Sequence, residues 1–537
     1  MDYKVCILAA GAGAKLEELT KYVPSCLLPV NFKSSISYII EKFPIEKEIV
    51  IAIGHKKELI VDYLHLAHPE RKFTFVEIEN YIGPGSGPGH SLLKCKEHLQ
   101  SPFIFFTADT LVLEEIPEPD KNWFGIAPVK DSENYCTVKI KNNLVCQLDT
   151  KIKIDNKFAF IGLAGVYDYY LFFDALEKNK EPIKGEIQVI NGFKKLIEKR
   201  LVPTGFTWFD TGSKENYIET NKSFLGGNKK FDFGKNEEFL YFVNGKVIKF
   251  FANLDHANKR VQRAENLKGL CPEIEGHRGN FYSYMKIDGH VLYDVLNPQI
   301  CSDFLNWSKR ELWIKKDLSE QKLKEFYNIC KEFYYDKTIK RIGDFHEKKA
   351  LIDSSNNING ILVPSLNELL SRVDWEDLYK GVPVRFHGDF TIANILVTRE
   401  IESQLNKFIL LDWRHDFGGL TEYGDLYYDL AKFYKGIILS DSLIKDGMFS
   451  FDMGGTSVYY DYFLKQNLVE AKEEYENFIL EHGFDLNKIK TLTAIALLNM
   501  SPLHNEPFSY LVYYLGKSML HRALKDKEKR SVKNDSI

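Results

Sequence analysis

The chain has 537 residues, 44% of them hydrophobic and 27% charged, a mix that excludes long disorder and collagen-like or low-complexity architecture and requires more than one hydrophobic core. Lys and Arg number 71 against 75 Asp and Glu, and the net charge of −4 gives no general attraction to a nucleic acid backbone or an anionic membrane, so no nucleic acid partner is expected. The eight cysteines form no C-x-x-C pair and read as reduced thiols of a cytoplasmic protein; no apolar run reaches the roughly 18–20 residues of a bilayer span, so membrane insertion is not expected.

In chain order, short β-prone apolar runs at Lys4–Leu8, Glu48–Ile53, Phe73–Ile78, Pro102–Phe106 and Phe124–Pro128 alternate with amphipathic stretches around Ser35–Phe43, Lys56–His68 and Gly89–Leu99. This alternation predicts an α/β fold, a Rossmann-like parallel sheet with helices on both faces and ligands at the carboxyl ends of its strands. The polar, glycine-bearing stretch Asn221–Asn236 marks a linker. Beyond it, Phe239–Val243 and Lys246–Phe251 flank Asn244-Gly245, a type I′ hairpin signal, ahead of a charged helical segment at Asp255–Leu267. The remainder is helix-like, as at Glu320–Tyr335 and Thr491–Met500, broken near Val384–Asp412 by two short apolar strands carrying acids. The expected domains are residues 1–228, a second α+β, two-lobed domain over 229–524, and a polar tail over 525–537.

The first strand runs into Ala9-Ala10-Gly11-Ala12-Gly13. Glycine after a strand lets backbone N–H groups approach phosphates with no side chain between, although a tight βα turn uses glycines equally well. Asp109 follows the apolar run Phe103–Ala108, and Asp210 sits in FTWFDTG; taken singly, one is a helix cap and the other a turn. Together, LAAGAGAKLEELTKYVPSCLLPV, TADT and FTWFDTG resemble the sugar nucleotidylyltransferases and related cytidylyltransferases over roughly residues 1–225. The resemblance implies that Leu8, Ala9, Ala10, Gly11, Ala12 and Gly13 cradle a nucleotide together with Gly85, Ser86 and Gly87 of GPGSGPG. It also implies that Asp109 and Asp210 hold Mg²⁺ and that Glu186 of GEIQVING accepts substrate hydroxyls or a cation. The family's phosphate-neutralising lysine is replaced here by Ser25. Either Lys15, at the family's arginine position, or Lys21 takes over, or the domain binds without catalysing.

Farther on, VRFHGDFTIANIL contains H-G-D-x-x-x-x-N, whose spacing lets Asp389 orient and deprotonate an acceptor hydroxyl while Asn394 supplies an amide oxygen to a metal on ATP phosphates. The strand Lys407–Leu411 then delivers Asp412 as a second metal ligand, preferred over Asp416 of the literal Asp416-Phe417-Gly418 because Asp412 ends the strand. With YGDLYYDLA following, this order resembles the aminoglycoside and choline phosphotransferases over roughly residues 230–520; Asp425 and Asp429 then read as residues that hold the loop and helix. The small lobe of such a kinase supplies a lysine to the α/β-phosphates, here Lys249, with a turn at Gly234-Lys235-Asn236 over the phosphates; Glu265 of the next helix is its partner or, beside Arg260 and Arg263, a solvated face charge.

Two such sites in one chain imply a bifunctional enzyme. ATP phosphorylates a small sugar, polyol or similar alcohol, and a second NTP, CTP or another, then gives its nucleotidyl group to that phosphorylated product with release of pyrophosphate, for a polysaccharide or lipid precursor. The alternatives are a choline kinase with a choline-phosphate cytidylyltransferase, and an active kinase carrying a non-catalytic sugar- or nucleotide-binding module, the last suggested by Ser25.

Overall fold

The computed structural model describes residues 1–129, 133, 135–150, 156–179, 182–183, 185–224, 237–399 and 406–534. The linker boundary expected at residue 228 and the turn Gly234-Lys235-Asn236 lie outside the described residues. By compactness the chain divides into one unit of Met1–Leu254 with Glu275–Lys286, and a second of Asp255–Ile274 with Ile287–Ile537.

Apolar runs such as KVCIL and IVIAI offer no polar face to water, so they fold as strands covered on both sides. They form β1 (Lys4–Leu8) and β2 (Ile49–Ile53), which line up in parallel with β3 (Phe73–Glu77) and β4 (Phe103–Thr107) in the order β4-β1-β2-β3. The register Leu8↔Thr107 puts the glycine loop after β1 beside the turn that carries Asp109. Helices α1 (Ser35–Ile40), α2 (Lys57–Ala67) and α3 (Pro88–Lys94) follow the amphipathic stretches, each ending earlier than the pattern alone suggests.

Beyond β4 the sheet becomes mixed. The strands β5 (Trp123–Pro128), β6 (Cys136–Lys141), β7 (Leu144–Thr150), β8 (Phe158–Val166) and β9 (Val202–Gly205) extend it; β8 runs antiparallel to β4, β5 and β6, and β9 runs parallel to β5. The β6–β7 hairpin turns on Asn142-Asn143, at φ of 50° and 57°, a left-handed pair that asparagine tolerates and that signals a turn more faintly than Asn-Gly.

The first unit contains a second antiparallel sheet. Its strands are β10 (Glu238–Val243), β11 (Lys246–Phe251), β12 (Gly276–Arg278) and β13 (Phe281–Met285), in the order β10-β11-β13-β12, with Asn244 and Gly245 at φ of 50° and 71° as the hairpin signal predicts. This sheet shares a hydrophobic core with the first. Tyr241, Val243, Ile248, Phe250 and Phe281 join Ile60, Tyr63 and Leu64 of α2 in one buried cluster. The Tyr241 and Tyr63 rings meet edge-on at 4.9 Å, the Tyr241 hydroxyl donates to Leu27 O at 2.9 Å, and Asn244 Nδ2 donates to Ala67 O at 3.0 Å.

The second unit is mostly helical, with Leu426–Ile438, Leu486–Met500 and Phe508–Asn534 among its longer helices. The expected helix Glu320–Tyr335 is regular only to Lys331; a wider turn over Glu332–Asp336 leads into a further helix, Lys337–Lys349. Strands Ile395–Arg399 and Asn406–Leu410 pair antiparallel, which leaves Asp412 two residues past the strand end.

Removing the Tyr241 ring deletes both a core filler and a buried hydrogen bond. Tyr241→Ala is expected to lower the stability of the first unit by about 3–5 kcal/mol, read as an earlier denaturant midpoint of its transition, whereas Tyr241→Phe costs about 1 kcal/mol. Equal losses for both variants would contradict a packing role for the ring.

Candidate active sites

In the first unit, strand Trp208–Asp210 pairs antiparallel with Thr110–Val112, and the register Asp210↔Thr110 sets Asp210 beside Asp109. Thr211 ties the two segments together, donating from its N and its Oγ1 to Asp109 O at 2.9 and 3.0 Å. Both carboxylates converge on Gly212. A Cβ built there would lie 2.8 Å from Asp109 Oδ2 and 3.1 Å from Asp210 Oδ1, so a side chain would fill the cradle between them. Asp210 is fixed by Gly212 N at 2.7 Å and Asn216 Nδ2 at 2.6 Å. Burial, and then the neighbouring Asp210 carboxylate, push the Asp109 carboxyl above its usual range; the Thr107 hydroxyl and the Lys15 ammonium pull it partly back. Two carboxylates facing one small space, with lone pairs to spare, are a donor set suited to Mg²⁺, which takes one or two protein carboxylates and fills its shell with water and phosphate oxygens.

The glycine loop lies against this pair. Ala108 N donates to Leu8 O at 3.2 Å and Ala9 N to Ala52 O at 2.9 Å, while His55 N donates to Ala10 O at 3.0 Å. Gly11 is open, with nothing within 4 Å of a built Cβ, and Gly13 is left-handed (φ 67°), where a Cβ would press on Ser25 Cβ at 3.1 Å. Ser25 therefore stands at the loop itself. Of the two lysines that could replace the missing one, Lys21 sits over the Tyr22 ring at 4.8 Å, whereas the exposed Lys15 is the one whose charge reaches Asp109. The second glycine stretch is knitted to the segment bearing Glu186: Gly85 N donates to Gly185 O at 2.8 Å, and Ile187 N to Ser86 O at 2.7 Å. Ser86 is buried, and a side chain at Gly87 would collide with Glu186 Cβ at 2.8 Å. The Glu186 carboxylate stays exposed, held by Gln188 Nε2 at 3.0 Å.

In the second unit, Asp389, Asn394 and Asp412 come together around His387. The buried His387 donates from Nε2 to Leu411 O at 2.8 Å and accepts at Nδ1 from Asp389 N at 3.2 Å; burial pushes its pKa down to about 3, so it is a neutral spacer rather than a base. Leu411 N donates to Asn394 O at 2.8 Å, which brings Asp412 beside Asn394. Asn394 gives its Nδ2 to Asp389 O at 2.9 Å and to Asp389 Oδ2 at 3.2 Å, which orients its amide oxygen as an acceptor fit for a cation. Asp412 has φ 55°, a conformation that costs a non-glycine residue energy and recurs at functional sites. Asp416 instead takes the Lys259 ammonium at 3.0 Å, a structural pairing.

Sequence reasoning missed Lys432, whose Nζ lies 2.7 Å from Asp389 Oδ1. Burial would raise the Asp389 pKa, but the Lys432 charge outweighs it and holds the carboxyl well below the usual range. The signal was present: Lys432 lies three residues after Asp429, on the same face of helix Leu426–Ile438. Asp429 accepts from His387 N at 2.8 Å and Gly388 N at 2.7 Å, and Asp425 caps the same helix and accepts from Val382 N and the Tyr334 hydroxyl. Arg263 was also missed. Fully buried, it donates to the carbonyls of Phe386, His387, Arg414 and Thr421 and so anchors helix Leu254–Asn266 to the loop. Glu265, on that helix, is exposed, and Lys249 is buried on β11 of the first unit.

No family model matches the chain. Its N-terminal part matches sugar nucleotidylyltransferases. It is 30% identical over 252 residues to the bifunctional protein GlmU of Methanocaldococcus jannaschii, covering 45% of this chain and 59% of that protein. It is 27% identical over 255 residues to the low-salt glycan biosynthesis nucleotidyltransferase Agl11 of Haloferax volcanii, covering 41% of this chain and 66% of that protein. A UDP-glucose pyrophosphorylase solved with UDP-glucose aligns at a TM-score of 0.37 and 20% identity, covering 42% of this chain and 99% of that one. The chain thus spans less than two thirds of the curated relatives it matches first. Among the described residues, no helix is long and apolar enough to cross a membrane.

Burial raises the Asp429 carboxyl to about 6, against an unfolded value of about 3.9. Between these values the folded state holds the extra proton, so stability is greatest below about pH 4 and falls as pH rises to about 6, by on the order of 3 kcal/mol. Asp429→Asn is expected to flatten this part of the stability–pH curve of the second unit, measured by denaturation from pH 4 to 7. An unchanged slope would refute the assignment.

Proposed function

We propose that the protein is a bifunctional enzyme. Its second unit uses ATP to phosphorylate a small hydroxylated compound, and its first joins a phosphorylated sugar or alcohol to the nucleotidyl group of a second NTP, CTP or another, releasing pyrophosphate. The product is an activated precursor for polysaccharide or lipid synthesis. The observation that carries the reading is that Asp109 and Asp210 face one small space across Gly212 beside the glycine loop of the first unit, while in the second Asn394 is hydrogen-bonded to Asp389 and to the residue before Asp412. The nucleotidyl-transfer step, and not the kinase step, also has the support of the matched nucleotidyltransferases.

In the first unit the N–H groups of Gly11–Gly13 take up phosphate oxygens, the Gly85–Gly87 turn and Glu186 orient base and substrate hydroxyls, and Lys15 offsets charge developing on the α-phosphate. Asp109 and Asp210 would hold Mg²⁺, which when bound offsets charge on the departing pyrophosphate. In the second unit Asp389 orients the acceptor hydroxyl and takes its proton, Lys432 keeps that carboxylate ionised, and Asn394 and Asp412 would hold the metal of Mg-ATP. A second reading, a first unit that binds without catalysing, is favoured by Ser25 alone.

The test is a coupled assay. With Mg²⁺ and a panel of alcohols the protein should form ADP, and with NTPs and the phosphorylated products it should release pyrophosphate. Asp389→Asn should abolish only ADP formation and Asp109→Asn only pyrophosphate release; loss of both in either folded variant would contradict two independent sites. Lys15→Gln is expected to slow pyrophosphate release by about 10²–10³-fold, and Ser25→Lys to accelerate it by about tenfold or more. If no NTP yields pyrophosphate even with Ser25→Lys, the binding-module reading replaces the catalytic one.

A further inference from the structure

Near Asp389 the second unit gathers more positive charge than its own acids neutralise. Phe333, in the wide turn before helix Lys337–Lys349, carries the Lys337 ammonium 3.9 Å from its ring centre and the Arg414 guanidinium 5.2 Å from the same ring. Tyr428 meets Phe333 edge-on at 5.0 Å, and Lys432 lies one turn farther along the Tyr428 helix. Arg341 follows Lys337 by one turn and donates to Asn499 O at 3.0 Å. Arg414 stands two residues beyond Asp412.

The local charges do not cancel. Lys432 is matched by Asp389 at 2.7 Å and Lys435 by Asp441 at 3.1 Å, but among the described residues Lys337, Arg341 and Arg414 have no carboxylate within 4.0 Å. Burial pushes the Lys337 pKa down to about 6, and the charges of Arg414, Arg341 and Lys432 push the same way. Holding like charges together out of water is costly, and aromatic faces offset only part of the cost. An incoming anion would favour the protonated Lys337 and offset Arg341 and Arg414. A quaternary ammonium would be repelled, because the ring that could receive it already carries two cations.

We propose that the acceptor phosphorylated by the second unit is an anionic hydroxy compound, its carboxylate or phosphate held by Lys337, Arg341 and Arg414 while its hydroxyl meets Asp389. The proposal deepens the kinase reading and rests on it. In the transfer, the acceptor hydroxyl oxygen bonds to the γ-phosphorus of ATP, the bond from that phosphorus to the β,γ-bridging oxygen breaks with its electrons on departing ADP, and the hydroxyl proton goes to Asp389. The product is a phosphate ester carrying at least one further negative group.

The full-length protein with Mg-ATP is assayed for ADP formation with matched acceptors: glycerol and sorbitol as neutral polyols, choline as a cation, glycerate and gluconate as carboxylates, and glycerol 3-phosphate as a phosphate. An anionic acceptor is expected to exceed its neutral counterpart in kcat/KM by about 10- to 100-fold, and the carboxylate and phosphate arms tell the two sources apart. Lys337→Met, which also relieves like-charge crowding, and Arg414→Gln should raise KM for that acceptor while leaving KM for ATP within about twofold. A neutral or cationic acceptor with the highest kcat/KM, or variants that raise KM for ATP instead, would overturn the proposal. Thermal shift separates it from the kinase reading. If an anion of the panel stabilises the wild type and not Lys337→Met, yet no acceptor yields ADP, the anion site stands and the kinase reading falls; if none stabilises and none is phosphorylated, both fall.

Discussion

A carboxylate withdrawn from water needs hydrogen bonds or an opposite charge, and each unit of this protein is organised by how that need is met. Asp429 meets it with two backbone N–H groups, and in doing so fixes the turn that presents Asp389. Asp425 meets it with a helix terminus, a backbone N–H and the Tyr334 hydroxyl. Asp389 meets it with the Lys432 ammonium and the Asn394 amide. Asp109 differs in facing another carboxylate across Gly212, with the Thr107 hydroxyl and the Lys15 charge offsetting only part of its burial and that repulsion. Asp425, Asp429 and Asp389 are each given partners by the fold, whereas Asp109 and Asp210 face one another, and that pair is the one suited to an outside cation.

The same contrast separates what the sequence made legible from what it hid. Motif acids were visible because their order and spacing reflect chemistry, and the structure brings Asp109 to Asp210 and gathers Asp389, Asn394 and Asp412. Their partners were not, because Lys432 and Arg263 look like any charges on amphipathic helices until the fold decides which face turns inward. The parallel strands β1 to β4 announced themselves as buried apolar runs. The antiparallel hairpin β6–β7 did not, since part-exposed strands with threonines and lysines differ little from loops, and its turn relies on Asn142-Asn143 instead of a glycine. In the long segment from Glu320 to Lys349, periodicity alone could not place the wider turn at Glu332–Asp336, whose Phe333 packs against Phe417 at 4.4 Å, a residue distant in sequence.

The basic cluster around Phe333 gives the proposed chemistry a direction. A kinase whose acceptor already carries a negative group makes a product with two, and in a two-step scheme the next enzyme must accept or discard that extra charge. Exposed Glu186 would face such a substrate unfavourably if it carried the anion near its hydroxyls, so the added phosphate and the original acid group would have to enter the first unit at opposite ends.

The sharing of one core by the two sheets of the first unit bears on how the protein is made. Strands β12 and β13 lie downstream of residues Asp255–Ile274, which belong to the second unit, yet Phe281 is part of the cluster built on α2. A ribosome releases residues in order, and domains close as their last elements emerge. The core of the first unit is therefore incomplete until Lys286 has emerged from the ribosome, by which point the first helix of the second unit has emerged too, without the loop it will anchor. Emergence thus interleaves the two folding events, and a nascent chain that has emerged only to a point between Leu254 and Glu275 would expose the apolar face of a half-built sheet.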